Sequence, residues 1–318
     1  MHFAGGFISA LLFFFAIPRV HSVNDTRAAR SKRGIPFTGV TIDGRHRYVT
    51  GHNVPVTIDL DQSLRIGESI RISGTLNSKF SKLNIFLAQN HGHDNEYAPF
   101  HMSIRTDGHA VLNTMQAGAW ETEQHFTHFL DGGKKFVIYI RCHTSQFEIY
   151  HDFVKVYEMH NMFSLDVIKQ ISVDGDATLD RVEWGGGEYE LPFTRIFGPM
   201  KEGRAVVTGE SFNDFEITFF DSHLEKPFYL KGNFENSKMI ANSMKYNIWG
   251  KEEHGTVKFP FQLGELFEIT ILNNNDGLTV YHNGNKVMNF AHRVDKPQQA
   301  YTGILVTPIY QLFNVIWN

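Results

Sequence analysis

The chain is expected to be all-β: two antiparallel β-sandwiches of jelly-roll type arranged in tandem. Three observations predict this. Short runs with apolar residues at every second position, bounded by Gly, Asn and Asp, dominate the sequence, and outside the N-terminus there is almost no helical pattern. An ordered set of motifs occurs twice at a nearly constant offset. The length of 318 residues is long for one sandwich and comfortable for two domains.

Among the clearest strands are Ser69-Ile70-Arg71-Ile72-Ser73-Gly74, Leu83-Asn84-Ile85-Phe86-Leu87 and Phe215-Glu216-Ile217-Thr218-Phe219-Phe220. In each, alternate apolar residues would face a core. Asp174-Gly175, Asn275-Asp276-Gly277 and Asn283-Gly284 supply hairpin turns. Twenty-eight Phe residues suit the inner faces of sheets. Many short strands joined by regular turns imply a sandwich or barrel.

The repeat sets the domain organisation. Pro55-Val56-Thr57 recurs as Pro192-Phe193-Thr194, and Gly67 and Gly74 recur as Gly203 and Gly209. Trp120-Glu121-Thr122-Glu123-Gln124-His125 recurs as Trp249-Gly250-Lys251-Glu252-Glu253-His254. Phe147-Glu148-Ile149-Tyr150-His151 recurs as Leu278-Thr279-Val280-Tyr281-His282, and Trp184 recurs as Trp317. The offset drifts from 137 residues to 129 and back to 133, as small loop changes would produce. One domain is therefore expected over residues 52–184 and a second over 191–318. The linker at 185–190 is short enough to keep them adjacent while allowing some hinge motion.

The N-terminus reads as a separate segment. Residues 3–17 are an apolar run too short for a comfortable membrane span, and Val20-His21-Ser22 follows as a cleavable small-residue pattern. Residues 1–22 are expected to be a secretory signal, with an uncleaved anchor as the alternative, and 23–51 a leader or linker. Asn24-Asp25-Thr26 is a glycosylation acceptor pattern. Arg30-Ser31-Lys32-Arg33 reads either as a dibasic processing site or as a solvated basic stretch. Once the signal is removed, no membrane insertion is expected, and the protein would be extracellular.

Charge and cysteine content exclude several function classes. Thirty Lys and Arg against 34 Asp and Glu leave a net charge of −4, which argues against nucleic acid as the main partner. The single cysteine, Cys142, rules out an intramolecular disulfide and a cysteine-rich zinc cluster. It lies in Val137-Ile138-Tyr139-Ile140-Arg141-Cys142, a strand pattern, and is expected to be a buried thiol.

Polar residues gather between positions 100 and 125. His101, Ser103 and Arg105 alternate and would share one strand face, with Met102 and Ile104 turned into the core. Asn113 falls on the expected neighbouring strand, Trp120 follows a flexible Ala117-Gly118-Ala119, and Glu123 and His125 again lie two apart. Such a face suits a sugar. An indole ring stacks on apolar C–H patches, Arg donates from a rigid fork, Glu accepts, and Asn and His do both. A Glu–Arg pair would hold both partners in place and lower the entropy cost of binding.

At these residues the chain resembles the galectin family, whose pattern is His-x-Asn-x-Arg, Val-x-Asn and Trp-x-x-Glu-x-Arg. The first unit matches at His101, Arg105, Asn113, Trp120 and Glu123, with Ser103 in place of Asn and His125 in place of Arg. The resemblance implies that His101 and Arg105 contact an axial 4-hydroxyl, Asn113 and Glu123 contact a 6-hydroxyl, and Trp120 stacks under galactose. In the second unit Tyr229, Lys231 and Asn233 replace the His-x-Asn-x-Arg strand, while Asn242, Trp249 and Glu252 match and His254 again replaces Arg. The resemblance spans residues 52–318. It implies reversible, metal-independent and cofactor-free binding of β-galactoside glycans on glycoproteins or glycolipids, with two domains able to cross-link them.

Other readings compete. Trp120 and Trp249 could be core residues, as Trp184 and Trp317 are expected to be. Arg105 and Glu123 could form an exposed ion pair of little energetic consequence. Seventeen His residues, including His91, His93, His109 and His128, raise a metal site, but zinc needs three or four convergent ligands and His91 and His93 are not repeated. Glu121 and Glu123 could be a glycosidase pair, yet Glu121 becomes Gly250 in the repeat. A degenerate scaffold acting in protein–protein interaction is the remaining alternative.

Overall fold

In the computed structural model, residues 39–40, 46–89, 97–128 and 130–318 are described. The expected signal, glycosylation and processing segments lie outside these residues, as do His91 and His93. Apart from strands, they contain a 3₁₀ turn at Leu165–Val167 and one α-turn at Pro297–Ala300. The chain is thus all-β, as its alternation predicts.

The first sandwich is built from β1 (Gly39–Val40), β2 (His46–Asn53), β3 (Val56–Asp59), β4 (Glu68–Leu76), β5 (Lys82–Ala88), β6 (Ala98–Arg105), β7 (His109–Gln116) and β8 (Ala119–Trp120). It continues through β9 (Gln124–Thr127), β10 (Lys135–Cys142), β11 (Gln146–His151), β12 (Val154–His160), β13 (Gln170–Gly175) and β14 (Ala177–Gly186). One sheet has the order β3-β13-β5-β6-β7-β8, with β9 also on β7; the other has the order β1-β2-β14-β4-β10-β11-β12. Every pairing is antiparallel. Between the sheets, Ile70, Ile72, Leu83, Ile85, Leu87, Met102 and Ile104 form part of a buried core that includes Cys142 and Trp184.

The second sandwich follows with β15 (Phe193–Ile196), β16 (Arg204–Glu210), β17 (Phe215–Phe220), β18 (Lys226–Asn233), β19 (Lys238–Lys245) and β20 (Ile248–Trp249). Then come β21 (Glu253–His254), β22 (Leu266–Asn274), β23 (Gly277–His282), β24 (Asn285–Ala291), β25 (Gly303–Thr307) and β26 (Gln311–Trp317). Its sheets have the orders β15-β25-β17-β18-β19-β20, with β21 on β19, and β24-β23-β22-β16-β26. Phe215, Ile217, Phe219, Phe228, Leu230 and Trp317 pack between them.

Two boundaries differ from expectation. β2 starts at His46 and pairs along β14 from His46↔Gly185 to Asn53↔Thr178, so part of the expected leader is an integral strand. Its sequence, HRYVTGHN, has one core residue, Val49, and therefore no apolar alternation to reveal it. β14 runs to Gly186 and takes up the start of the expected hinge. Gly186 has φ +89, and a Cβ there would lie 2.6 Å from the Phe313 carbonyl oxygen, so only glycine lets the chain pass β26 so closely.

The two sandwiches pack into one compact unit through the outward faces of the β4/β10/β14 and β16/β22/β26 strands. Tyr139 and Arg141 alternate with Ile138, Ile140 and Cys142 of the first core and so face away from it, yet they are only 1% and 4% exposed. The junction accounts for this. Tyr139, Tyr150 and Phe153 pack with Leu266 and Phe313, and the Arg141 guanidinium lies 3.5 Å over the Phe313 ring. Arg71 Nε donates to Glu268 at 3.0 Å, and the Tyr139 hydroxyl donates to the same carboxylate. Burial and the facing Glu268 push the Tyr139 phenol well up, so it stays a donor. Tyr150 donates to Glu210 at 3.0 Å, Arg204 sits 3.7 Å from Glu183, and His46 meets Asn314 at 3.0 Å.

These bonds leave little freedom for the hinge motion expected of the linker. Removing one member of a buried ion pair strands the other charge and costs roughly 3 kcal/mol. Glu268→Ala is therefore expected to lower the calorimetric unfolding midpoint, and adding Arg71→Met should recover part of the loss. An unchanged midpoint in Glu268→Ala would contradict a tightly formed junction.

Candidate functional site

The polar face of the first sandwich is displayed by the same strands that fill its core. On β6, Met102 and Ile104 are buried between the sheets, so His101, Ser103 and Arg105 face the other way. Antiparallel pairing sets Asn113 of β7 directly opposite His101. Ala117 and Gly118, with φ of 48 and 77, form a tight two-residue turn that returns the chain as β8 and pairs Trp120 with Met115. Trp120 is thereby held out from the sheet, 46% exposed. This is the exposed reading of Trp120; Trp184 and Trp317 are core.

Aromatic contacts fix the His101 ring. Phe86 stacks on it with centroids 4.2 Å apart at 15°, and Trp120 lies 5.0 Å away at 44°. Burial, then the charges of Arg105 and Lys82, push the imidazole down to about 4. The ring is neutral near pH 7, with one nitrogen a donor and the other an acceptor. Its Nε2 is buried with no hydrogen-bond partner among the described residues. The ring is thus held rigidly beside the exposed indole, with Nε2 itself shielded from solvent.

Glu123 and His125 do share a face, with Oε2 and Nε2 3.5 Å apart. The Arg105–Glu123 pair expected from the sequence is replaced by this one: among the described residues, Arg105 makes no ion pair. Asn113 Oδ1 accepts the Thr114 N–H at 2.7 Å, which fixes the carboxamide. The strand pairing also adds β5 to the face. Lys82, Asn84 and Phe86 lie opposite Arg105, Ser103 and His101. The alternation that draws Leu83, Ile85 and Leu87 into the core carries this signal, but it becomes legible only once the β5–β6 pairing is known.

The second sandwich repeats the scaffold with different chemistry. Tyr229 faces Asn242 as His101 faces Asn113, and Tyr246 and Asn247, with φ of 52 and 61, make the corresponding turn before Trp249. Trp249 is likewise 46% exposed, 5.0 Å from the Tyr229 ring. The polar atoms of the β18 strand, however, are engaged within the protein. The Tyr229 hydroxyl donates to Glu216 at 2.8 Å. Lys231 pairs with Asp214 at 3.0 Å, and Asn233 donates to the same Asp214 while accepting the Asn236 N–H in the turn. Glu252 stays exposed beside Trp249. Glu216, Asp214 and Arg293, which touch this face, carry no motif signal because they come from other parts of the chain.

No group of three or more His, Cys, Asp or Glu side chains able to hold a metal occurs among the described residues. His128 is structural: Nε2 meets the Arg105 carbonyl at 2.6 Å and Nδ1 accepts the Leu130 N–H at 3.0 Å.

Comparison with known proteins bears on both halves. The family model for galactoside-binding lectins matches residues 55–184 and again 193–317. A "32 kDa beta-galactoside-binding lectin" of Caenorhabditis elegans is 28% identical over 252 residues, which is 76% of this chain and 89% of the relative. A protein of the same name from Haemonchus contortus is 27% identical over 268 residues, 79% of this chain and 90% of the relative. Human galectin-4 is 23% identical over 289 residues, 75% of this chain and 88% of the relative. With two matches covering both sandwiches, the chain belongs to the galactoside-binding lectin family, the galectins, in tandem-repeat form.

Proposed function

We propose that the first sandwich binds β-galactoside glycans through His101, Ser103, Arg105, Asn113, Trp120, Glu123 and His125. The observation that carries this reading is the exposed Trp120 held beside the fixed His101 ring, on a face that also displays Arg105 and Asn113. A galactoside stacks its C–H patch on the indole while its hydroxyls find an imidazole, a guanidinium, an amide and a carboxylate within one face. Nothing in this arrangement calls for a metal or cofactor. The family and the names of the nematode relatives support the same ligand class. Binding, and not hydrolysis, is the activity of such a face. Its natural partners are proposed to be glycoproteins or glycolipids outside the cell, a location supported by the apolar N-terminal run and the small-residue pattern after it. No helix among the described residues is long and apolar enough to cross a membrane.

The second sandwich is proposed to bind a glycan through Tyr229, Lys231, Asn233, Asn242, Trp249 and Glu252, with altered preference. The two face-bearing sheets are the outer layers of the compact unit, because the other sheet of each sandwich forms the junction. Two sites on opposite outer layers would bridge separate glycan-bearing surfaces, and avidity would then exceed either single affinity.

Trp120→Ala is expected to weaken lactose binding at the first site at least tenfold, about 1.4 kcal/mol or more, by calorimetry. Trp249→Ala should leave that site intact, and the double variant should pass unretained through a lactose column. Unaltered retention of the double variant would remove these two faces as the sugar sites, and failure of the unsubstituted chain to bind lactose would favour a protein-binding scaffold.

The His101 ring gives a pH test. Its folded value of about 4 lies below the ordinary 6.5, so the unfolded chain takes up the proton first. The stabilisation from burying the neutral ring is complete above about pH 6.5 and is lost as pH falls towards 4. The His101 ring signals in NMR should titrate with a midpoint near 4, and lactose affinity should fall only as that midpoint is approached. A midpoint near 6.5 would contradict the neutral, desolvated ring.

A further inference from the structure

We infer that Arg293 is a positioning residue of the second face: it clamps the segment carrying Trp249 and Glu252 onto β19, and position 250 is glycine because the clamp occupies the space a side chain would need. The inference rests on the reading of that face as a glycan site.

Arg293 follows β24 and reaches three separate pieces of chain. Nη1 donates to Asn242 Oδ1 at 3.1 Å and to Ser243 Oγ at 3.3 Å, both on β19. Nη2 donates to the Lys251 carbonyl at 2.6 Å, within the segment, and to Glu253 Oε1 at 2.6 Å, on β21. All four terminal N–H groups are engaged, and the fork is planar, so the segment is fixed relative to the strand. The guanidinium carbon lies 4.7 Å from the centre of the Phe290 ring, which supports it from below.

Gly250 fits the same picture. It is absent from the glycines with positive φ, so backbone conformation does not require it. A Cβ built there would lie 2.7 Å from Arg293 Nη1 and 3.3 Å from Asn242 Oδ1. The nearest obstacle is thus the clamp itself. In the first sandwich the repeat places Glu121 at this position. Among the described residues there, no arginine donates to Asn113 or to the segment after Trp120.

The consequence is chemical as well as mechanical. Asn242 Oδ1 is taken by the Ser243 N–H at 2.8 Å and by Arg293, and Nδ2 donates to the Gly250 carbonyl at 3.1 Å. The amide is locked with one N–H left for a ligand. The face therefore offers a donor at Asn242 and an acceptor at Glu252, beside the Trp249 ring. That combination suits a neutral glycan with an oxygen accepting from Asn242 and a hydroxyl donating to Glu252. A segment fixed before the ligand arrives lowers the ordering cost of binding.

The test uses the full chain carrying Trp120→Ala, which silences the first face. Amide hydrogen exchange over residues 249–255 is read in the free protein, and N-acetyllactosamine affinity by calorimetry. Arg293→Ala and Gly250→Ala, the second of which displaces the guanidinium without removing it, should each speed exchange in this segment and weaken affinity about tenfold. Arg293→Lys should restore neither, since one ammonium cannot span three pieces of chain. Unchanged exchange in Arg293→Ala would overturn the clamp. Faster exchange with unchanged affinity would overturn its role in ligand positioning. If the Trp120→Ala chain fails to bind even with Arg293 present, the glycan reading of this face falls and the positioning role falls with it, while exchange still reports on the clamp.

Discussion

Both faces depend on the pleat of the β-strand, which turns successive side chains to opposite sides. β6 serves two purposes on alternate residues: Met102 and Ile104 fill the core, and His101, Ser103 and Arg105 form the face. A slip of one residue would bury an arginine and expose the core residues. The register is held from both sides, by Phe86 against His101 on β5 and by Asn113 against His101 on β7. Core packing and ligand display are therefore one constraint. The precision of the His101 ring is borrowed from the rigidity of the sheets beneath it.

A sandwich has two outer faces, and each half of this molecule uses both. One carries the polar site, and the other is turned against its neighbour. The junction is polar at its centre, with Arg71, Tyr139 and Glu268 joined, and apolar at Tyr150, Phe153, Leu266 and Phe313. Buried ion pairs add less stability than their number suggests, because desolvation offsets the attraction. Their bonds are directional, however, and a charged group that misses its partner is costly. A junction of this kind sets the orientation of the two sandwiches more strictly than an apolar patch would, and with it the opposed placement of the two sites.

Much of this is legible in the sequence. Alternation marks the strands at 69–74, 83–87 and 215–220, which fall within or match β4, β5 and β17. The repeat anticipates two sandwiches, and the spacing of His101, Ser103 and Arg105 anticipates one shared face. What stays hidden has a common cause. β2 escapes because its neighbours, not its own apolar pattern, make it a strand. The junction escapes because Arg71, Tyr139, Arg141 and Glu268 have the character of a solvated face until a second sandwich covers them. A pair of Arg105 with Glu123 is open to the sequence, but it is His125, two residues on, that meets Glu123. Arg293 lies 51 residues from Asn242, and no local pattern connects them.

The two faces differ less in the number of residues they retain than in whether their polar atoms are already engaged. At the first, Arg105 makes no ion pair among the described residues and Glu123 meets only His125 at 3.5 Å, so on the proposed reading a ligand would displace few bonds there. At the second, Tyr229 is bound to Glu216 and Lys231 to Asp214. A ligand must compete with those bonds, and exchanging one hydrogen bond for another yields only about 0.5–1.5 kcal/mol at best. What the second face has in return is rigidity, since Arg293 already holds the segment bearing Trp249 and Glu252. On the proposed reading, one site would gain through unfulfilled hydrogen-bonding capacity and the other through order already in place, and two such sites on one scaffold need not select the same glycan. Cross-linking by this chain would then join surfaces that differ in their sugars, in preference to two copies of one surface.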